Sequence, residues 1–181
     1  MIKSWGGLKM LDDKKNNDVE YKKIIKPYLN QRVASLRDIP HHDTNRFDHC
    51  VKVSYKSYKL CRMLGLNYES AAKAGLLHDL YFDRICECNT KKEKFKLFSN
   101  EHPKRALENA KEMFDITPLE ENIILSHMWP TSIYVPKYKE SFVVGLVDKI
   151  VSFSEVGKKG IEKASYGLNM AFLFIITFLF F

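Results

Sequence analysis

Proline and glycine are scarce in this chain, 6 and 8 residues of 181. A β-sandwich interrupts its strands with frequent turn residues, so the shortage argues against that class and suits long helices. Cysteine is limited to Cys50, Cys61, Cys86 and Cys88. Cys86 and Cys88 form a C-x-C with no second pair, which argues against a structural zinc site. No apolar run follows Met1, so no secretory signal is expected and a reduced, cytoplasmic chain is the default. Basic residues outnumber acidic ones 29 to 22, a formal charge of +7, but they form no long block. Dispersed lysines read as solvated helix faces, and no specific nucleic-acid binding is expected. Internal repeats are absent as well. Against these absences stand 45% hydrophobic and 13% aromatic residues, enough for one packed core and too many for a disordered chain.

The apolar positions recur at helical spacing. Val19, Ile24, Ile25 and Leu29 suggest a short amphipathic helix over 18–29. Residues 38–45 are turn chemistry, which places His41 and His42 in a surface loop first, with a role in lining the site as the second reading. Arg46, His49, Cys50, Val53, Ser57, Leu60, Cys61 and Leu64 follow at three- and four-residue steps, one face of a helix over about 46–64. Lys52, Lys56 and Lys59 form its outer face, and Cys50 and Cys61 are read as small buried hydrophobes. Asn67 is placed as the N-cap of a helix running to about Leu80. Its small residues Ala71, Ala72 and Gly75 share a face with His78 and Asp79, so a neighbouring helix can come close. Lys91–Asn100 reads as a short helix and connector, after which His102-Pro103 opens another helix with proline at its first position. Thr117-Pro118-Leu119-Glu120 has the form of a capping box with Pro at N1. The helix it starts carries His127 and stops before Pro130. A last helix spans Ser141 to about Val156.

His49, the pair His78-Asp79, His102, His127 and Asp148 are separated by gaps that each fit a helix and a turn. Each would therefore come from a different helix of a bundle. Imidazole and carboxylate donors without thiolate suit Fe, Mn, Co, Ni or Zn. Four histidines and two aspartates are enough for two adjacent ions, which together polarise a phosphoryl oxygen and supply a nucleophile at neutral pH. Asp148 lies in an apolar run, where an unpaired charge is costly, so a metal or an ion pair is expected beside it.

The ordered set Arg46-Phe-Asp-His49, Leu-Leu-His78-Asp79, His102-Pro, Ser-His127 and Val-Asp148-Lys149 resembles the HD-domain superfamily of metal-dependent phosphohydrolases. Ala74-Gly75-Leu76-Leu77-His78-Asp79-Leu80 and Leu146-Val147-Asp148-Lys149-Ile150 look like that family's own signatures, and the resemblance covers about 45–156. It looks closest to small bacterial stand-alone members, including those that hydrolyse dinucleoside polyphosphates. The resemblance implies an all-α HD-domain bundle with a metal site between the central helices, a domain placed here at 17–157. It implies that His49, His78, Asp79 and Asp148 bind the core metal, and that Asp79 bridges to a second metal held by His102 and His127. One or two divalent ions are thus expected, with a small phosphorylated substrate, most simply a nucleotide. Arg46 matches a basic residue one turn before the first histidine. It is expected either to hold a phosphate or to pair with a carboxylate. Many members carry a lysine three residues after the paired Asp; here that position is Phe82, and Arg84, Lys104 or Lys137 is left to replace it. Trp129 could stack on a base or simply pack at a helix end. The same six ligands would also serve a di-iron oxygenase, and the fold a non-catalytic nucleotide sensor.

Residues 1–16 are polar and read as a loose N-terminus. At the other end, Ala171–Phe181 has Thr177 as its single polar residue. As a helix it would span about 17 Å, short of the roughly 30 Å of a bilayer core. An apolar helix over 158–181 is expected to be buried in the bundle or a homodimer interface first, in contact with a membrane second, with a foreshortened chain third. Deleting residues 168–181 is expected to leave metal binding intact, because no candidate ligand lies beyond Asp148, and to change oligomeric state or membrane fractionation. Metal analysis, size-exclusion chromatography and vesicle flotation check this. Loss of the metals with the other two properties unchanged would place the tail in the catalytic core.

Overall fold

The computed structural model describes residues 19–41, 43–82 and 91–155, without the side chains of 91–96. The loose segment expected at 1–16, His42, Asp83, Arg84, Cys86, Cys88 and the apolar helix expected over 158–181 lie outside the described residues. Within them the chain is all-α, as expected: α1 Val19–Ile25, α2 Gln31–Ala34, α3 Arg46–Met63, α4 Tyr68–Leu77, α5 Lys91–Met113, α6 Pro118–Ser126 and α7 Lys139–Glu155. Two 3-10 turns, Lys26–Tyr28 and Ser35–Asp38, flank α2. The one sheet among the described residues is a hairpin of β1 Pro40–His41 with β2 Thr44–Asn45. None of the described helices is long and apolar enough to cross a membrane.

The helix starts are chemical. Asn45 accepts from the backbone N–H of Asp48, Asn67 from that of Ser70, and Thr117 from that of Glu120. Glu120 returns a bond to the N–H of Thr117, completing the capping box. Each cap satisfies donors that a helix N-terminus cannot satisfy internally.

α3 is the central element. It packs on α4 and α7, while α6 closes against α4, α5 and α7. Its buried face is wider than one stripe. Val51, Ser54 and Tyr58 are buried along with His49, Cys50, Val53, Ser57 and Cys61, because α3 is covered from several sides at once. Cys50 and Cys61 are buried free thiols. Leu64, assigned above to the stripe, is 46% exposed. It follows the last helical residue, Met63, where the chain turns out through Gly65 at φ 68°. In α1 the buried pair is Tyr21 and Ile25, and Val19 is exposed. The Tyr21 hydroxyl, 3.0 Å from Ser54 Oγ, ties α1 to α3.

Two boundaries differ from expectation. α4 ends at Leu77 and not near Leu80, with His78 as its C-cap. α5 runs unbroken from Lys91 to Met113 with Pro103 in its interior, so Pro103 does not open a helix. A proline lacks the N–H that would bond four residues back and costs about 3 kcal/mol in a helix interior. Burial of Ser99, His102, Ala106 and Ala110 along one side of α5 outweighs that cost, which local sequence preference could not show.

The small-residue face of α4 works as expected. A Cβ placed on Gly75 would stand 3.0 Å from Ser54 Cα and 3.3 Å from Ser54 N, both backbone atoms of α3. Backbone cannot swing aside as a side chain can. Gly75→Ala is therefore expected to push α3 and α4 apart and to destabilise the fold by about 1–3 kcal/mol, in the range of over-packing changes. Urea denaturation monitored by circular dichroism measures it.

Candidate metal centre

The bundle gathers all six expected ligands into one buried cluster: His49, His78, Asp79, His102, His127 and Asp148 are each at most 7% exposed. Local structure explains how three of the imidazoles are aimed. His78 and His127 are the C-caps of α4 and α6, where the last carbonyls lack helical donors. His78 Nδ1 lies 2.9 Å from the carbonyl of Gly75, and His127 Nδ1 lies 2.7 Å from that of Ile124, three residues back in each case. His102, inside α5, does the same to Phe98 at 2.7 Å. A carbonyl oxygen can only accept, so in each ring Nδ1 carries the proton. In His102 and His127 Nε2 is left with its lone pair facing the centre, the tautomer a metal requires, and the Nε2 of His78 is aimed at the same centre.

Two halves can be distinguished. In the first, His49 Nε2 is 3.0 Å from Asp148 Oδ1, and His78 Nε2 is 3.5 Å from the same oxygen. In the second, Asp79 Oδ1 lies 3.4 Å from His102 Nε2 and 3.6 Å from His127 Nε2, and those two nitrogens are 2.9 Å apart. Two nitrogens held about 2.1 Å from one ion at right angles stand about 3.0 Å apart. Donor atoms of His49, His78 and Asp148 form one mutually close group, and those of His78, Asp79 and His127 another. His78 Nε2 and Asp79 Oδ1 are buried without a hydrogen-bond partner, a costly arrangement unless something else meets them. The donor set fits a divalent metal by chemistry, aim and spacing.

The electrostatics agree. Burial, with repulsion from His78 and His102, pushes the His127 imidazole down to about 3. Burial also lowers His102, against the pull of Asp79. Both are therefore neutral and ligand-ready at pH 7. Burial acts against charge on His49, but its hydrogen bonds to Asp148 and Glu155 prevail and raise it to about 10. His78 is likewise raised against burial, chiefly by Asp79. Asp79 and Asp148 are held as carboxylates despite burial by the imidazoles around them. Protons on His49 and His78 thus occupy the role a cation would take, and metal binding would release them.

A layer of supporting contacts fixes the ligands. The sequence offered no signal for Glu155, two helical turns beyond Asp148 on α7. Its Oε2 lies 2.8 Å from His49 Nδ1, and its Oε1 accepts from Lys52 at 2.6 Å. The two carboxylates of α7 therefore grip opposite nitrogens of one ring. Lys149 donates to the carbonyls of His127 and Gly145 at 2.8 and 3.2 Å, pinning the end of α6 to α7. Asn109 holds the carbonyl of Leu80 at 2.9 Å, and Arg46 that of Tyr81, so the turn after Asp79 is clamped from α5 and α3.

The remaining candidates fall at the margin. The Arg46 guanidinium is buried and stacks 3.7 Å over the Tyr81 ring. That ring lies 5.3 Å from His102, and Arg46 Nε has no hydrogen-bond partner. Trp129 packs edge-on against Phe142, 5.9 Å between centroids. Lys104 lies beside Glu101 at 3.5 Å. Phe82, standing where the resemblance expects a lysine, receives the Arg32 guanidinium 5.3 Å over its ring. His41 is the departure. Its ring lies 4.3 Å from that of His49, and with His49 and Asp79 it makes a third group of close donor atoms. A loop assignment from turn residues could not see a hairpin fold back on α3.

A family model described as HD domain matches residues 46–151. No curated protein and no solved structure matches the chain.

Glu155→Ala is expected to weaken metal affinity roughly 10- to 100-fold, the usual effect of losing a carboxylate behind a ligating imidazole. Glu155→Gln, whose amide oxygen can still accept from His49 Nδ1, should retain most of the affinity. Titration of the metal-free protein with Mn or Co against a competing chelator measures both.

Proposed function

The chain belongs to the HD-domain family, and from that membership and the geometry of its buried cluster we propose that it is a metal-dependent phosphohydrolase acting on a nucleotide or other small phosphorylated substrate. The observation that carries the reading is the approach of His102 Nε2 to His127 Nε2 at 2.9 Å. Each ring already donates Nδ1–H to a carbonyl, so two lone pairs face each other and call for a cation. In this reading His49, His78, Asp79 and Asp148 would hold one divalent ion, and Asp79, with His102 and His127, would hold a second. Such ions, once bound, polarise a phosphoryl oxygen and make a water acidic enough to attack phosphorus at neutral pH.

The chain's own residues prepare that chemistry. Asp148 and Glu155 fix His49 from both sides. Lys149 fixes the carbonyl of His127, and Asn109 with Arg46 fixes the turn that presents Asp79. None of these groups has to reorganise when charge develops on the substrate, which is the main source of electrostatic catalysis. Arg46 adds a permanent positive charge next to Tyr81 at the flank of the cluster, where it can help neutralise a phosphate. Trp129, packed edge-on against Phe142, would serve as a wall for a base in this reading.

The test is to purify the protein, measure its metal content, and assay it with Mn, Fe, Co or Ni. The substrate panel comprises mononucleotides, dinucleoside polyphosphates and cyclic dinucleotides. Hydrolysis dependent on added metal is expected. Protein that binds no metal, or shows no turnover after reconstitution, would remove the enzyme assignment; a redox-active mixed-valent di-iron signal with oxygen consumption would replace it. Asp79→Ala should lose both ions, or leave one weakly held, and abolish turnover. His127→Ala should keep the first ion and lose the second, and metal analysis of the two variants separates these outcomes.

A further inference from the structure

The hairpin ahead of α3 places a histidine against the cluster that the reading above does not use. β1 and β2 pair antiparallel, Pro40 with Asn45 and His41 with Thr44. The N–H of Arg46 donates to the carbonyl of Ile39 at 2.9 Å, and Asn45, the last residue of β2, is also the N-cap of α3. The hairpin is thereby locked to the first turn of α3, the turn that carries His49. Pro40 and Asp43 are exposed, while His41 between them is half-buried. The His41 ring turns toward His49, 4.3 Å between centroids at a tilt of 44°. One donor atom each of His41, His49 and Asp79 lie within 4.8 Å of one another. Donor atoms that close together are within reach of one ion. Asp79, the member shared with the second half of the cluster, is a buried carboxylate whose Oδ1 has no hydrogen-bond partner, so it remains available to a cation.

We propose that His41 is a further ligand of the divalent ion held by His49, His78, Asp79 and Asp148, supplied by the hairpin and not by the helical bundle. The proposal rests on the metal-dependent reading above and adds to it a neutral imidazole from outside the helices. An extra nitrogen donor would tighten the first ion and shift the site's preference toward metals that favour imidazole over oxygen. It would leave the second ion, on Asp79, His102 and His127, unaltered.

The experiment uses the full chain, freed of metal by chelation and titrated with Co²⁺. Visible d–d absorption reports the number and kind of ligands, and competition with a chelator gives the affinity. Two variants are compared with the wild type. His41→Ala removes both ring and ligand; His41→Phe keeps a ring against His49 but cannot coordinate. Thermal melts of the metal-free proteins establish that both are folded. Both variants should bind the first Co²⁺ about tenfold or more weakly, with an altered d–d spectrum, while the second ion binds as in the wild type. Wild-type affinity and spectrum in both variants would overturn the assignment, as would restoration of wild-type values by His41→Phe, which would make the contact packing alone. If the wild type itself takes up no Co²⁺, the phosphohydrolase reading falls and this one with it. If the wild type binds two ions and the variants match it, only the role of His41 is lost.

Discussion

Two neutral imidazoles that each donate Nδ1–H to a backbone carbonyl stand with their other nitrogens 2.9 Å apart, lone pair toward lone pair, an arrangement that a cation between them would stabilise. His102 and His127 are held in that relation, and much of the structure serves to keep them there. Four histidines and two aspartates are removed from water at the middle of the bundle. Burying that many ionisable groups is unfavourable unless they neutralise one another or share a cation. Without a metal, protons on His49 and His78 offset the two carboxylates, and His102 and His127 stay neutral. The cluster is thus balanced in a form that a divalent ion can enter by displacing protons.

The way the helices end contributes to the same balance. α4 and α6 both stop at the cluster, with His78 and His127 as their C-caps. A helix C-terminus carries partial negative charge, so two of them pointing at one site favour a cation before any carboxylate is counted. The cap position also solves the problem of aim. A histidine there meets an orphan carbonyl three residues back, and that bond leaves Nε2 turned outward from its own helix. Close packing then brings the ends together. Gly75 lets α4 approach the backbone of α3. Gly145, whose added Cβ would meet the His127 carbonyl at 3.2 Å, lets α7 approach the end of α6. The supporting groups Glu155 and Lys149 on α7, Asn109 on α5 and Arg46 on α3 each reach a ligand, or the backbone beside one, from a neighbouring helix.

How much of this could be read in advance depends on the range of the interaction. The capping box at Thr117, the N-cap at Asn67 and the start of α3 at Arg46 are interactions within four residues, and the sequence names their partners directly. The interior proline of α5 was misplaced because His102-Pro103 is compatible with a helix start as well as an interior position. The choice was made by burial along α5, not by the dipeptide. Val19 and Leu64 were assigned to buried faces because periodicity counts apolar residues and cannot tell which of them meets a neighbour. Glu155 and His41 were missed or discounted for the same reason. Each acts on His49 through space, one from the far end of α7 and one from a hairpin whose residues look like any surface turn.

By itself, the order of His49, His78-Asp79, His102, His127 and Asp148 along an amphipathic helical chain determined the all-α class, the family and the chemistry of the donor set. Ligand identity and spacing are properties of the chain, and one helix per ligand follows from the length of the gaps. Only the tertiary structure decided which nitrogen of each ring faces inward, which carboxylate meets which imidazole, and that Glu155 and His41 stand beside His49. Those depend on contacts such as the 2.8 Å between His49 and Glu155, residues 106 positions apart. Such distances are set by how close the helices can pack.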